Sequence, residues 1–148
     1  MLSVSPYYNK PNQAGIINHY TQIAEASPLP IIIYNVPGRT GSNMTACTQL
    51  EIAKLPNVIA TKEASGDMQQ IMEILAHKPA NFEVISGDDA LTFPMMCLGA
   101  AGVISVVNHA IPSTFNEMVH LCNQNNFTKA REIHKKKLTL YCTFELWE

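Results

Sequence analysis

A lysine stands at the end of an apolar, β-branched run, with Lys62 following Val58-Ile59-Ala60-Thr61. Such a run is typical of a buried strand in a parallel sheet, and α/β sheets and barrels carry their sites beyond the carboxyl ends of their strands. Because burial among apolar groups lowers the pKa of a lysine amine, the amine can be neutral near pH 7, attack a ketone and form a Schiff base. The alternative is a lysine that extends its charge into water, which is the commoner fate. The case for chemistry therefore depends on the neighbours of Lys62.

Two further side chains could converge on this lysine. Tyr34 ends the apolar run that begins at Ile31, and a tyrosine beside an amine can shuttle protons while a carbinolamine forms and dehydrates. Arg39 follows five residues later in a glycine-flanked loop, where its guanidinium can hold a substrate carboxylate through two parallel hydrogen bonds. The alternatives are a core tyrosine with a satisfied hydroxyl and an exposed loop arginine.

Other polar groups are weaker candidates. Gly87-Asp88-Asp89 follows a third apolar run, is too isolated for a metal site and can cap the next helix. The histidines lack the spacing of metal ligands, and the glycines at 99 and 102 lack a nucleotide-binding pattern. We therefore expect neither a metal nor a nucleotide.

The elements that must position these residues alternate along the chain. Strands are predicted to start near residues 30, 58, 83 and 102, each followed by a helix, and the pattern is wholly helical from Pro112 onward. This alternation predicts a parallel sheet with right-handed crossovers. In detail we expect a loop over 37–41, a helix that Thr45 can cap, a helix over 67–77 with Met72 facing inward, and a last strand over 103–107.

The pattern alone does not decide whether that sheet closes into a barrel. A complete (β/α)8 barrel needs about 250 residues, whereas this chain has 148 and supplies four strands and the stub of a fifth. The sequence therefore predicts either part of a barrel or a small doubly wound, flavodoxin-like sheet.

Composition excludes several classes of protein. A net charge of −2 gives no electrostatic footprint for nucleic acid or an anionic membrane. No apolar run approaches the roughly 20 residues that span a bilayer, and the first residues lack the features of a signal peptide. The four cysteines have no CxxC spacing and indicate reduced, buried thiols of a cytoplasmic protein.

Five ordered motifs are similar to those of one enzyme family, and they are Ser5-Pro6-Tyr7-Tyr8-Asn9-Lys10-Pro11, Tyr34-Asn35-Val36-Pro37-Gly38-Arg39-Thr40-Gly41, Lys62-Glu63-Ala64-Ser65-Gly66, Ser86-Gly87-Asp88-Asp89 and Gly102-Val103-Ile104-Ser105-Val106. On these motifs the chain resembles the 4-hydroxy-tetrahydrodipicolinate synthase (dihydrodipicolinate synthase) family, within the N-acetylneuraminate lyase superfamily of class I aldolases. The resemblance covers essentially the whole chain. It implies strands 4–8 of a (β/α)8 barrel with their helices, residues 1–111 being the C-terminal half of the barrel. Residues 112–148 would then form the last barrel helix and the start of a helical C-terminal region.

The resemblance implies a Schiff-base reaction. Lys62 matches the lysine that condenses with pyruvate to give an imine and then an enamine, which attacks the aldehyde of aspartate semialdehyde in lysine and diaminopimelate biosynthesis. Tyr34 matches the proton-shuttling tyrosine, and Arg39 matches the residue that binds the carboxylate of the semialdehyde. No cofactor is needed, because the lysine itself supplies the electron sink.

The resemblance also assigns residues outside this central set. Tyr8 matches a tyrosine that reaches into the site of a neighbouring subunit, so a homo-oligomer is expected. Tyr7 matches a tyrosine near a lysine feedback site at a dimer interface. Gly87 and the backbone carbonyl of Ile104 match positions that line the pyruvate pocket.

The family's barrel has about four more elements before the position of residue 1, consistent with the size of a (β/α)8 barrel. We therefore expect the chain alone to be truncated and nearly inactive, with a complementary half-barrel or a second copy as its partner. Arg39 and Gly87-Asp88-Asp89 favour the synthase over N-acetylneuraminate lyase. Two alternatives stay open: another pyruvate-dependent aldolase of the superfamily, such as N-acetylneuraminate lyase or a sugar-acid aldolase, and a non-catalytic half-barrel interaction module.

Overall fold

The computed structural model describes residues 1–145 of the chain. These residues form two compact units, Met1–Ile85 and the unit that begins at Ser86. The predicted helical region extends to residue 148, so its last three residues lie outside the described part. Within the described residues, no helix is both long and apolar enough to cross a membrane.

The first unit alternates strands and helices, as predicted. Its elements are β1 (Leu2–Val4), α1 (Gln13–Ala26), β2 (Ile31–Asn35), α2 (Pro37–Thr40), α3 (Ala46–Ile52), β3 (Val58–Glu63), α4 (Met68–His77) and β4 (Glu83–Ser86), whose last residue opens the second unit. The strands lie side by side in chain order, and β2 pairs in parallel with both β1 and β3. The predicted parallel sheet is therefore confirmed.

The register of β2 against β3 decides which side chains meet. Tyr34 lies opposite Lys62, and Asn35 lies opposite Glu63. Because successive side chains of a strand point to opposite faces, the first pair lies on one face of the sheet and the second pair on the other. The face that carries Asn35 and Glu63 packs against helices, since both side chains bond groups of that layer.

The helices begin where short polar side chains can accept backbone hydrogen bonds. Asn12 accepts from Gly15 N and thereby caps α1. Thr45 caps α3 as predicted, accepting from Thr48 N, and Asp67 caps α4 by accepting from Gln70 N. Each cap satisfies a backbone N–H that has no partner within its helix.

The second unit is mainly helical. It contains α5 (Thr92–Cys97), β5 (Gly102–Val103), a 3₁₀ helix (Val107–His109), α6 (Pro112–Asn123) and α7 (Phe127–Glu145). Ile104 N donates to Ser86 O at 2.9 Å, which joins the end of β5 to the end of β4. Phe115, Met118 and Tyr141 fill its core, the two rings lying edge to face with their centroids 5.5 Å apart. The helical pattern from Pro112 onward is confirmed, while the division at residues 111 and 112 stays a prediction.

Three local expectations were wrong. Residues 37–40 form the short helix α2, because Pro37 suits a first helical turn and Gly41, at φ 62°, ends it in the left-handed conformation. The last strand stops at Val103, because the backbone turns into the 3₁₀ helix that follows. Met72 is 46% exposed, because Ile71 and Ile74 already form the buried stripe of α4.

The cysteines also depart in part from expectation. Cys47, Cys97 and Cys122 are free thiols, but only Cys122 is buried. The first two lie on the outer sides of short helices, where little of the chain covers them. The side chain of Cys142 lies outside the described part of the chain.

Candidate active site

Lys62 and Tyr34 form the centre of the candidate site. Their paired positions at the ends of β3 and β2 bring Lys62 Nζ to 4.2 Å from the centroid of the Tyr34 ring. Both side chains are half-buried. An ammonium over an aromatic face is stabilised by the ring's electron density, so the lysine must lose a proton before it can act as a nucleophile. The same ring carries a phenol hydroxyl, a group that can transfer protons in such chemistry.

A buried polar layer lies on the opposite face of the same two strands. Glu63 is fully buried, and both of its carboxylate oxygens accept hydrogen bonds, one of them from Asn35 Nδ2 at 2.9 Å. Burial raises the pKa of Glu63 above its ordinary value, while its hydrogen-bond donors act in the opposite direction. We assigned Glu63 no role from the sequence. Its burial could have been predicted from its place in the strand, because its side chain faces the predicted helices that contain Gln49 and Gln70.

Arg39 lies one turn beyond β2, on α2, and is exposed. A second cationic side chain approaches this segment, because a Cβ built on Gly41 would lie 2.8 Å from Lys10 Nζ. Gly38, by contrast, has open space around it. Lys10 therefore adds a second positive charge near the segment that carries Arg39, and the sequence pattern did not single it out.

Tyr7 and Tyr8 lie in the loop after β1 and are 62% and 91% exposed. They line a shallow depression together with His19 and Ile23. Large exposed aromatic side chains are typical of surfaces that contact another chain. The structure does not bring these tyrosines to Lys62 within the first unit.

In the second unit, two aspartates organise the loops beside Gly87 and Ile104. Asp88 Oδ1 accepts from Leu91 N at 2.9 Å. Asp89 Oδ2 accepts from Val106 N at 3.1 Å and from Val107 N at 2.7 Å, so it holds the backbone just beyond Ile104. The expected helix cap is wrong, because α5 begins after Leu91 without a side-chain cap, and Asp88 closes the turn that precedes it. The longer-range role of Asp89 could not be read from the sequence.

Gly87 is half-buried and Ile104 is exposed. Both lie in loops that follow strands, as the expected pocket position requires. Among the described residues, no group of three or more His, Cys, Asp or Glu side chains could hold a metal ion.

Comparison with known proteins relates this arrangement to one family. The sequence profile of the Dihydrodipicolinate synthetase family matches residues 1–144. The 4-hydroxy-tetrahydrodipicolinate synthase of Parabacteroides distasonis is 56% identical over 142 residues, which are 95% of this chain and 48% of that protein. This chain thus spans about half the length of the curated relatives it matches.

Solved structures agree. The 4-hydroxy-tetrahydrodipicolinate synthase of Methylacidiphilum fumariolicum superposes with a TM-score of 0.94 at 35% identity, over 98% of this chain and 49% of that one. The chloride-inhibited dihydrodipicolinate synthase of Acinetobacter baumannii, solved in complex with pyruvate, superposes with a TM-score of 0.91 at 38% identity, over 95% of this chain and 48% of that one. The predicted fold class, a partial (β/α)8 barrel followed by helices, is confirmed by this likeness. The chain belongs to the dihydrodipicolinate synthetase family.

Proposed function

We propose that this chain carries the Schiff-base half of a lyase that condenses pyruvate with L-aspartate 4-semialdehyde to give 4-hydroxy-tetrahydrodipicolinate. The observation that supports it most is the Lys62 amine held 4.2 Å from the Tyr34 ring centroid at two adjacent strand ends. The synthase activity of the Parabacteroides distasonis relative and the pyruvate bound by the Acinetobacter baumannii enzyme agree with this proposal. The chain spans about half of those proteins, so we assign turnover to this half together with a complementary half of the barrel or a second copy.

The chemistry begins at Lys62. Its neutral amine attacks the ketone carbon of pyruvate, and loss of water from the carbinolamine gives an imine. Loss of a proton from the methyl carbon gives an enamine, which attacks the aldehyde of the second substrate. Tyr34 delivers and removes the protons of these steps through its hydroxyl. The imine nitrogen is the electron sink, so the scheme uses no cofactor.

Other residues bind and orient the substrates in this scheme. Arg39 binds the carboxylate of the semialdehyde, and its exposed position beyond β2 suits the entrance of a site. Gly87 and the Ile104 carbonyl line the pyruvate pocket. Tyr8 and Tyr7 belong to the contact with another copy of the chain, which agrees with their exposure. The cytoplasmic location stays a prediction.

Borohydride trapping tests the proposal. Borohydride reduces an imine to a stable amine, so pyruvate with borohydride should label Lys62, as read by intact mass and peptide mapping. Lys62→Arg keeps the positive charge and should abolish labelling, whereas Lys54→Arg, at an exposed lysine in the turn after α3 that pairs with Glu51, should not change it.

Two outcomes would revise the proposal. A folded chain without any adduct on Lys62 would favour the non-catalytic interaction module. An adduct whose enamine accepts a sugar aldehyde in place of aspartate semialdehyde would favour another pyruvate-dependent aldolase of the superfamily.

A further inference from the structure

The carboxylate of Glu63 is enclosed by hydrogen-bond donors from four parts of the first unit. Oε1 accepts from Asn35 Nδ2 at 2.9 Å and from Ser65 N at 3.1 Å. Oε2 accepts from Gln49 Nε2 at 2.8 Å and from Gln70 Nε2 at 3.2 Å. Asn35 ends β2, Gln49 lies on α3, Ser65 lies in the loop after β3, and Gln70 lies on α4. A single side chain therefore connects both strand ends with the helices behind them.

The partners are themselves fixed by further bonds. Gln49 Oε1 accepts from Thr61 Oγ1 at 2.7 Å, and Asn35 Oδ1 accepts from Met44 N at 3.0 Å. Every group that bonds the Glu63 carboxylate is a donor, and these bonds favour its deprotonated form, although burial has the larger effect and raises its pKa. A buried charge of this kind is costly compared with an apolar side chain of similar size, unless all of its bonds are made. Stability alone therefore gives little reason for a carboxylate at this place.

The position of the network relative to the chemistry is more informative. Glu63 directly follows Lys62, and its cross-strand partner Asn35 directly follows Tyr34. The pairing of β2 with β3 is irregular at its other end, where the register shifts between Ile31 and Ile32. The backbone ladder therefore does not hold one register along its whole length. At the end where the lysine meets the tyrosine the backbone pairing is regular, and the bond between Asn35 and Glu63 adds a side-chain link across the same two strands.

We propose that Glu63 is a positioning residue, whose bonds to Asn35, Gln49 and Gln70 hold Lys62 against the Tyr34 ring for Schiff-base chemistry. This proposal rests on the proposed function. Glu63 itself lies on the opposite face of the strands and touches neither substrate. Its contribution is the fixed spacing of amine and phenol, and small misplacements of reacting groups cost on the order of a hundredfold in rate.

Nuclear magnetic resonance of the full chain tests the spacing directly. Protons of a side chain that lies over an aromatic ring are shifted upfield, so the Lys62 ε-methylene shift reports its distance from the Tyr34 ring. Tyr34→Leu identifies that shift, because it removes the ring. In Glu63→Gln the new NH2 group faces two of the four N–H donors and cannot accept their hydrogen bonds. We therefore expect Lys62 to move away from the ring, so that its signal loses at least half of its upfield displacement.

Two further variants make the test specific. Gln70→Met removes the longest bond to Glu63, together with the two bonds between Gln70 and Asn43, and should move the Lys62 signal by a smaller amount in the same direction. Gln70→Met also tests the positioning role of Glu63 if Glu63→Gln does not fold. Glu73→Gln makes the same chemical change at an exposed position of α4 and should leave the signal unchanged.

Pyruvate trapping separates positioning from stability. A positioning role predicts that Glu63→Gln lowers the rate constant of adduct formation about tenfold or more, with the half-saturating pyruvate concentration unchanged. A merely structural role would lower the fraction of chain that reacts and leave the rate constant of the folded molecules as it was. An unchanged Lys62 signal in folded Glu63→Gln, or in Gln70→Met, would overturn the proposal. If the wild-type chain forms no adduct, the proposed function fails, while the Lys62 signal still decides the role of Glu63.

Discussion

Replacing Asp89 should release the backbone that follows β5. Its Oδ2 accepts from Val107 N at 2.7 Å in a buried position and from Val106 N at 3.1 Å in a partly buried one. Asp89→Ala leaves both N–H groups without this acceptor, and water can reach only the second. Bonds to a charged group contribute about 1.5–3 kcal/mol each, and water replaces much of the partly buried bond to Val106 N, so we expect a loss of about 2–4 kcal/mol in the free energy of unfolding.

A graded series separates the charge from the acceptor. Asp89→Asn keeps an oxygen at the same place but loses the negative charge, and charge-assisted bonds are roughly twice as strong as neutral ones. Its cost should therefore be about half that of Asp89→Ala, or about 1–2 kcal/mol. Glu132→Ala, an exposed carboxylate on α7, serves as the control and should change the free energy of unfolding by no more than about 0.5 kcal/mol.

Urea unfolding followed by circular dichroism measures the stability of each variant, because the second unit is mainly helical. Hydrogen exchange of the Val106 and Val107 amides measures the release of the backbone, and both should lose protection in Asp89→Ala. The reasoning is refuted if Asp89→Ala unfolds at the same urea concentration as Glu132→Ala and both amides stay protected. If Ile104 lines the pyruvate pocket as proposed, release of this neighbouring segment should also weaken pyruvate binding.

Two more predictions concern the first unit. Burial raises the pKa of Glu63 above its ordinary value of 4.5, so the folded chain binds this proton more tightly, and the contribution of Glu63 to stability is full below pH 4.5 and is lost as pH rises through the folded pKa. The wild type should therefore exceed Glu63→Gln in free energy of unfolding by less at neutral pH than at pH 4.5. Urea titrations that give the same difference between the two proteins at both pH values would contradict this prediction. Tyr20→Phe removes the buried donor to Ser3 O at 2.8 Å and should cost about 0.5–1.5 kcal/mol. Tyr7→Phe, at an exposed hydroxyl, should not measurably change the free energy of unfolding in the same titration. An equal loss of stability in both variants would show that burial of the hydroxyl is not the cause.

Much of the fold followed from local patterns. The apolar run before Lys62 predicted a buried strand, and β3 occupies that position. Thr45 predicted a helix start and makes the expected cap. These predictions succeed because strand burial and helix capping depend on residues within a few positions of one another. The inward position of Met72 failed because the buried stripe of α4 depends on what packs against it.

The sequence by itself predicted that Lys62 and Tyr34 lie at the carboxyl ends of parallel strands, and so named the two side chains of the candidate chemistry. Only the tertiary structure decided that these strands are neighbours and that the lysine amine lies over the tyrosine ring, since both depend on the pairing and register of β2 against β3. Only the tertiary structure also showed that Glu63 is surrounded by donors from Asn35, Gln49 and Gln70. From the sequence alone, a carboxylate at the end of a strand is expected to lie in water, and its burial becomes evident only from the positions of the helices that enclose it. Those helices are brought to it by the packing of segments far apart in the chain.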